Sequence, residues 1–184
     1  MEAIQFLREK YKITPPDQSM YDAVKANWDG VAKPLDGLGW FEHVTSQIGA
    51  IEESTNVCIS KRAVIVMCAD NGIVKEGISQ SGQEVTLAVA QSMGRRESSV
   101  CRMASASHTD VIPVDIGIAA SCKIDGVLDE KIACGTRNFA KEPAMTEKET
   151  LDAIDTGVRL VKAVIPESVV EFGDGSLVHA PKTP

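Results

Sequence analysis

The sequence predicts an α/β domain built on a mainly parallel sheet and preceded by an N-terminal helical segment. Three observations predict it. Apolar, β-branched runs at Ala63–Ala69 and Val111–Ile118 have the continuity of strands buried on both faces. Segments of helical period stand between and after them, which is the alternation of a parallel sheet with crossover helices. The first ~50 residues carry helical period only.

Taken in order, Glu2–Tyr11 reads as a short helix, with Ile4, Leu7 and Tyr11 on one face. Thr14-Pro15-Pro16-Asp17 breaks it. A second helical pattern runs from Gln18 to Asn27, and Lys33–Gly39 (KPLDGLG) is a loop. Trp40–Ile51 is helical again, with Phe41, Val44, Ile48 and Ile51 at helical spacing. After the Ala63–Ala69 strand comes a polar, glycine-punctuated loop. A helix is then expected over Val85–Met93, and a further apolar stretch continues through Val100, Met103 and Ala106. The Val111–Ile118 strand ends in Asp and Gly, and Lys131–Cys134 is a candidate short strand. The best-marked helix spans Thr146–Val164. Thr146 is its N-cap, Glu149 three residues on completes a capping box, and Leu151, Ile154, Val158 and Val161 line one face. Ser168–Phe172 is a last strand candidate. These patterns divide the chain into a helical segment, 1–55, and an α/β core, 56–184.

Composition narrows the function. Of 184 residues, 43% are hydrophobic, enough for a packed core. The net charge of −7 argues against nucleic-acid or anionic-membrane binding, since Lys61-Arg62 and Arg95-Arg96 are too short to make a basic patch. No run reaches transmembrane length, and the charged N-terminus lacks the apolar core of a signal peptide. The five cysteines form no CxxC pair and are odd in number, which predicts reduced thiols and a cytoplasmic location. His43, His108 and His179 show no ligand spacing, so no metal and no cofactor is expected.

In open α/β sheets, ligands bind beyond the carboxyl ends of the strands. Three such ends carry polar residues: Asp70-Asn71-Gly72, Asp115-Ile116-Gly117 and Gly173-Asp174-Gly175. Glycine admits close backbone approach and Asp or Asn can hold a ribose or base edge, yet the same residue types dominate plain turns. Both readings stand on these residues alone. Gly173-x-Gly175 is no dinucleotide fingerprint, because Val178 stands at the third glycine. The loop Gly135-Thr136-Arg137-Asn138-Phe139 offers donors to a carboxylate or phosphate, or else satisfies its own backbone.

Four motifs in order resemble the nicotinate-nucleotide–dimethylbenzimidazole phosphoribosyltransferase family. MCADNGIVKEGISQSGQEVT (Met67–Thr86) is similar to its ADHGV-x-x-EGVS and EVT pattern. Lys33–Gly39 resembles KPxGSLG, Val114–Gly117 resembles VDVG, and CGTRNFAKEPAMT (Cys134–Thr146) resembles GTxN…PAMT. The resemblance implies a Rossmann-like sheet with helices on both faces and transfer of the phosphoribosyl group of nicotinate mononucleotide to 5,6-dimethylbenzimidazole. The products are α-ribazole 5′-phosphate and nicotinate, in assembly of the cobalamin nucleotide loop. It implies small-molecule substrates only and a homodimer. It puts the loop from Asp70 through Asn71 and Gly72 to Thr86 against the azole, with Ser81 and Gln83 near that base. Asp115 and Gly117, and Thr136 and Asn138, face the nucleotide side, and Gly175 belongs to the third substrate loop.

The resemblance also marks departures. The family's FGxGE[LM]GxxNTTP loop reads FGDGSLVHAPKTP at Phe172–Pro184, with Ser176 in place of the glutamate and Pro181 in place of the asparagine. Family members are about twice this length, and their catalytic base is a glutamate in the C-terminal portion. A truncated core, marginally stable as a monomer and without its own base, is therefore expected. The alternatives are an inactive azole- or nucleotide-binding fragment of the family, or a generic α/β nucleotide-binding domain.

Overall fold

A computed structural model describes residues 5, 9–11 and 15–164, together with the backbone of 170–171 and 177–178. The expected face of Ile4 and Leu7 lies outside the described residues. The chain forms two compact units, 1–61 and 62–184.

The first unit is a helical hairpin. Helix α1 (Gln18–Asp29) starts where predicted. Asp17 caps it, accepting from Ser19 N at 2.8 Å and Met20 N at 3.2 Å. Helix α2 (Trp40–Glu52) follows the KPLDGLG loop and begins after Gly39, whose φ of +55° suits glycine. The helices touch through small groups: a Cβ on Gly49 would lie 2.6 Å from Val24 Cγ2. The buried face of α2 is Glu42, Ser46, Gly49 and Ala50. The apolar stripe that helical spacing aligns points elsewhere, with Phe41 57%, Val44 51% and Ile51 66% exposed. Phe41, Val44 and Ile48 join Trp28, Val31 and Val57 along a groove of about 540 Å³.

The second unit carries the sheet. Strands β1 (Ala63–Ala69), β2 (Asp110–Gly117) and β3 (Leu128–Asp129) pair in parallel in the order β1-β2-β3. Helices α3 (Glu84–Gly94) and α4 (Ser99–Ala106) cover one face, where Cys68, Ala90, Met93, Cys101, Ala104, Val111 and Ile118 pack together. Helix α5 (Glu147–Val164) covers the other, through Leu160 against Val114 and Leu128. Each strand sends alternate residues to the two faces, so both cores draw on β1 and β2. β2 is the buried central strand. β1 has one neighbour among the described strands, and of its residues only Cys68 is buried. The expectation of a β1 buried on both faces is corrected: Met67 is 43% exposed, because an edge strand has packing on fewer sides.

Two further expectations change. The short strand expected at Lys131–Cys134 is displaced to Leu128–Asp129. Residues beyond it still follow β2, with Glu130 N bonded to Asp115 O, Ile132 N to Ile116 O and Gly135 N to Gly117 O, but without a regular ladder. Within the candidate Ser168–Phe172, strand β4 (Val170–Glu171) pairs antiparallel with β5 (Leu177–Val178) as a separate ladder. Among the described residues no helix is long and apolar enough to cross a membrane.

Candidate active site

The polar residues gather at the carboxyl ends of β1 and β2. The β1–β2 register slips between Cys68 and Ala69, so that Ala69 pairs with Gly117 rather than Ile116. The slip brings Asp70 beside the turn after β2. Asp70 is 4% exposed, its N donates to Gly117 O at 3.0 Å, and its Oδ2 accepts from Ala119 N at 2.8 Å.

Asp115, 3% exposed, holds the end of its own strand. Its Oδ1 accepts from Gly117 N at 3.1 Å and Ile118 N at 2.8 Å. Its Oδ2 lies 2.9 Å from Lys131 Nζ. Lys131 also donates to Ile118 O at 2.9 Å and to Ala120 O. A buried carboxylate is tolerated only when paired and hydrogen-bonded, and here both requirements are met inside the protein. Asp70 and Asp115 therefore shape the strand ends. A cavity of about 430 Å³ opens next to them, lined by Ser121, Lys123, Asp129, Lys131 and Cys134 among others.

The loop 135–146 crosses in front of β1. Thr136 N donates to Asp70 O at 2.9 Å, and Thr136 Oγ1 accepts from Gly72 N at 3.1 Å. Gly72, the first residue of a 3-10 turn (Gly72–Glu76), is there because the loops meet backbone to backbone. A Cβ would strike Thr136 O and lie 2.7 Å from Arg137 C and 2.8 Å from Asn138 N. Asn138 is buried, donates to Glu76 Oε1, and accepts from Ala140 N at 3.0 Å.

Arg137 is taken up by a carboxylate of the protein itself. It donates to Pro143 O at 3.1 Å and pairs bidentately with Glu149, with Nη1 at 3.2 Å from Oε1. The predicted capping box is present: Thr146 N donates to Glu149 Oε2 at 2.6 Å and Glu149 N donates to Thr146 Oγ1 at 3.2 Å. The Arg137 guanidinium, with the Thr146 N–H and hydroxyl, pulls the Glu149 carboxyl down to about 2.

Segment 77–82 is open by comparison. Asn71 and Ser81 are exposed, and Gln83 Nε2 reaches Asn71 O at 3.4 Å. Ser81 N bonds locally to Ser79 Oγ at 3.4 Å. Of the predicted site residues, Asp70, Gly72, Asp115, Gly117, Thr136 and Asn138 converge, Asn71 and Gln83 border them, and Ser81 stands apart on the open loop. Gly175 lies outside the described residues. Lys131 and Glu76 escaped the sequence reading. Lys131 sits in a stretch with no motif spacing, whereas Glu76 lies inside the family-like MCADNGIVKEG run and was legible there.

One carboxylate cluster stands in the helical unit: oxygens of Asp29, Asp36 and Glu42 lie within 4.8 Å of one another. Lys25 already serves as its cation, 2.9 Å from Asp36 and 3.5 Å from Glu42, and Lys33 lies 2.8 Å from Glu42. Lys33 above all holds the Glu42 carboxyl below its usual range.

A family model described as Phosphoribosyltransferase matches residues 13–181. The nicotinate-nucleotide–dimethylbenzimidazole phosphoribosyltransferase of Clostridium tetani is 35% identical over 164 residues, which are 89% of this chain and 45% of that protein. The protein of that name from Acetivibrio thermocellus is 35% identical over 85% of this chain and 44% of its own length. The crystal structure of the Thermus thermophilus protein of that name superposes with a TM-score of 0.75 at 29% identity, over 81% of this chain and 46% of that one. The chain thus spans about half the length of the curated relatives it matches. On the family match, the identities and the shared α/β architecture together, the chain belongs to the nicotinate-nucleotide–dimethylbenzimidazole phosphoribosyltransferase family.

Proposed function

We propose that this chain carries the ring-positioning part of a phosphoribosyl transfer from nicotinate mononucleotide to 5,6-dimethylbenzimidazole. One observation carries the reading. Two loops that resemble family motifs, 64 residues apart, are joined at Gly72 and Thr136 on the carboxyl side of a parallel sheet. That is where an α/β sheet binds its ligand.

In the reaction, a ring nitrogen of the azole forms a bond to C1′ of the ribose. The bond from C1′ to the pyridinium nitrogen breaks, its electron pair stays on that nitrogen, and nicotinate departs. The azole N–H proton passes to a base. The pyridinium is an activated leaving group, so the protein's main task is to hold two flat rings on opposite sides of C1′. We assign the azole side to the wall 70–86, with Asp70, Asn71, Gly72, Ser81 and Gln83. The nucleotide side falls to the ends of β2 and of the 135–138 loop, with Asp115, Gly117, Thr136 and Asn138, and Gly175 is assigned to the same site. The resemblance puts the base on a glutamate of the family's C-terminal half, which this chain does not span. The product would be α-ribazole 5′-phosphate, for cobalamin assembly.

The test incubates the full chain with nicotinate mononucleotide and 5,6-dimethylbenzimidazole and separates products by chromatography. α-Ribazole 5′-phosphate and nicotinate in equal amounts support the reading. Azole binding with no product supports the second reading, an inactive binding fragment, which the half-length coverage favours. Neither binding nor product rejects both. We further infer a cytoplasmic homodimer. Support comes from five cysteines that are all free thiols and from the family resemblance. A monomer by sedimentation at micromolar concentration would refute the dimer.

A further inference from the structure

The loop after β1 and the loop before α5 meet where Thr136 N donates to Asp70 O and Gly72 N donates to Thr136 Oγ1, and through the Glu76 carboxylate, which engages Asn138 and Lys141. Glu76 closes the 3-10 turn, and Gly77 follows it in the left-handed region at φ +73°. The exposed segment 77–82 therefore hangs from Glu76. Its own bonds are local: Gly77 N to Val74 O at 3.0 Å, Ser81 N to Ser79 Oγ at 3.4 Å, and Gly82 N to Glu84 Oε1 at 3.2 Å. Asn138, in contrast, is fixed. It is buried, its Oδ1 takes Ala140 N, and its carbonyl takes Lys141 N at 2.9 Å and Glu142 N at 3.1 Å. The Lys141 ammonium lies 3.6 Å from the same Glu76 oxygen that Asn138 engages. A loosely held wall is thus tied to a rigid loop by a charge-assisted hydrogen bond, the stronger kind.

We propose that Glu76 is a positioning residue for the azole: its bond to Asn138 holds segment 77–82 in place as the wall of the azole pocket and so sets azole affinity. The inference rests on the phosphoribosyltransferase reading and assigns Glu76 no proton transfer. The orientation of the amide matters, because the nitrogen of Asn138 must face the carboxylate. A glutamine at 76 keeps an acceptor oxygen for it, and an alanine does not.

The experiment uses the full chain and its Glu76→Ala, Glu76→Gln, Asn138→Ala and Glu76→Ala/Asn138→Ala variants. Fluorescence titration with 5,6-dimethylbenzimidazole and with nicotinate mononucleotide gives the two affinities, and hydrogen exchange reads the amides of 77–82 and 136–138. Loss of a hydrogen bond to a charged group predicts about a tenfold weaker azole affinity for Glu76→Ala. Glu76→Gln should recover most of it, and in both single Glu76 variants nicotinate mononucleotide affinity should stay within about twofold. The double variant should be no weaker for the azole than Glu76→Ala, since that change alone already removes the Asn138 bond and the Lys141 ion pair. Equal loss of both ligands in Glu76→Ala, no rescue by glutamine, or losses that multiply in the double variant would overturn the proposal. If the unaltered chain binds no azole, the phosphoribosyltransferase reading falls instead. Exchange then decides the tie itself: faster exchange over 77–82 in Glu76→Ala and Asn138→Ala alike supports it, and unchanged exchange refutes it.

Discussion

The ends of the two long strands solve the same problem in opposite ways. Beyond β2, the polar groups close on one another: Asp115 is paired with Lys131 and two backbone amides, and Lys131 is shared with two carbonyls. Beyond β1, Asp70 is buried but the chain then runs outward, and among the described residues segment 77–82 bonds to its near neighbours. The difference teaches that the end of β2 is held by interior electrostatics, while segment 77–82 is held by short-range bonds. Residues that look alike in sequence, Asp-Asn-Gly and Asp-Ile-Gly, end in different mechanical states.

If that contrast is right, damage to the β2 side should cost folding and damage to the β1 wall should not. Lys131→Met leaves Asp115 buried without its cation, and breaking a buried pair costs about 3 kcal/mol or more. Urea unfolding of the full chain should show it, and a loss below ~1 kcal/mol would mean the β2 end is not locked. Gly72→Ala probes the junction of the two regions. Backbone atoms stand where its Cβ must go, so overpacking should cost about 2 kcal/mol, read by the same denaturation. The third test is acid. Glu149 titrates near 2 when folded, below the ordinary carboxylate value of 4.5. Its contribution is whole above pH 4.5 and fades as pH falls toward 2. The stability gap between the unaltered chain and Glu149→Gln should therefore be widest near neutral pH and close in acid, and a pH-independent gap would show that Arg137 does not hold a charged Glu149. The smallest effect belongs to the wall: Ser81→Ala should change stability by no more than about 0.5 kcal/mol, as an exposed position without tertiary bonds. A larger shift in its melting temperature would break the contrast.

Much of the β2 side and of the helix that follows was legible. Two apolar runs announced β1 and β2, and Thr146 with Glu149 announced the start of α5, because capping chemistry is local. The convergence of Asp70, Gly72, Thr136 and Asn138 was readable as a list but not as an arrangement. What joins them is a register slip between Cys68 and Ala69, and nothing in a run of small apolar residues signals a bulge. β3 was misplaced because two residues paired to Val114 and Asp115 leave no period to detect. Arg137 invited an anion on paper. Its real partner, Glu149, was already spoken for in the sequence as a capping residue, and one carboxylate serves both. In α2 the helical period was right, and the buried face that it did not reveal is Glu42, Ser46, Gly49 and Ala50, because Glu42 finds two lysines and Gly49 allows close approach to Val24.

Gly72 has a consequence for how such a site can change over time. Its contact with residues 136–138 is made by main-chain atoms, by the Thr136 hydroxyl and by the space where a side chain would be. Substitutions elsewhere on the wall, at Ser79, Gln80 or Ser81, leave that contact untouched. A lineage can therefore try new side chains there while the junction beneath them keeps its place, so the exposed face of this loop can drift without the fold being renegotiated each time.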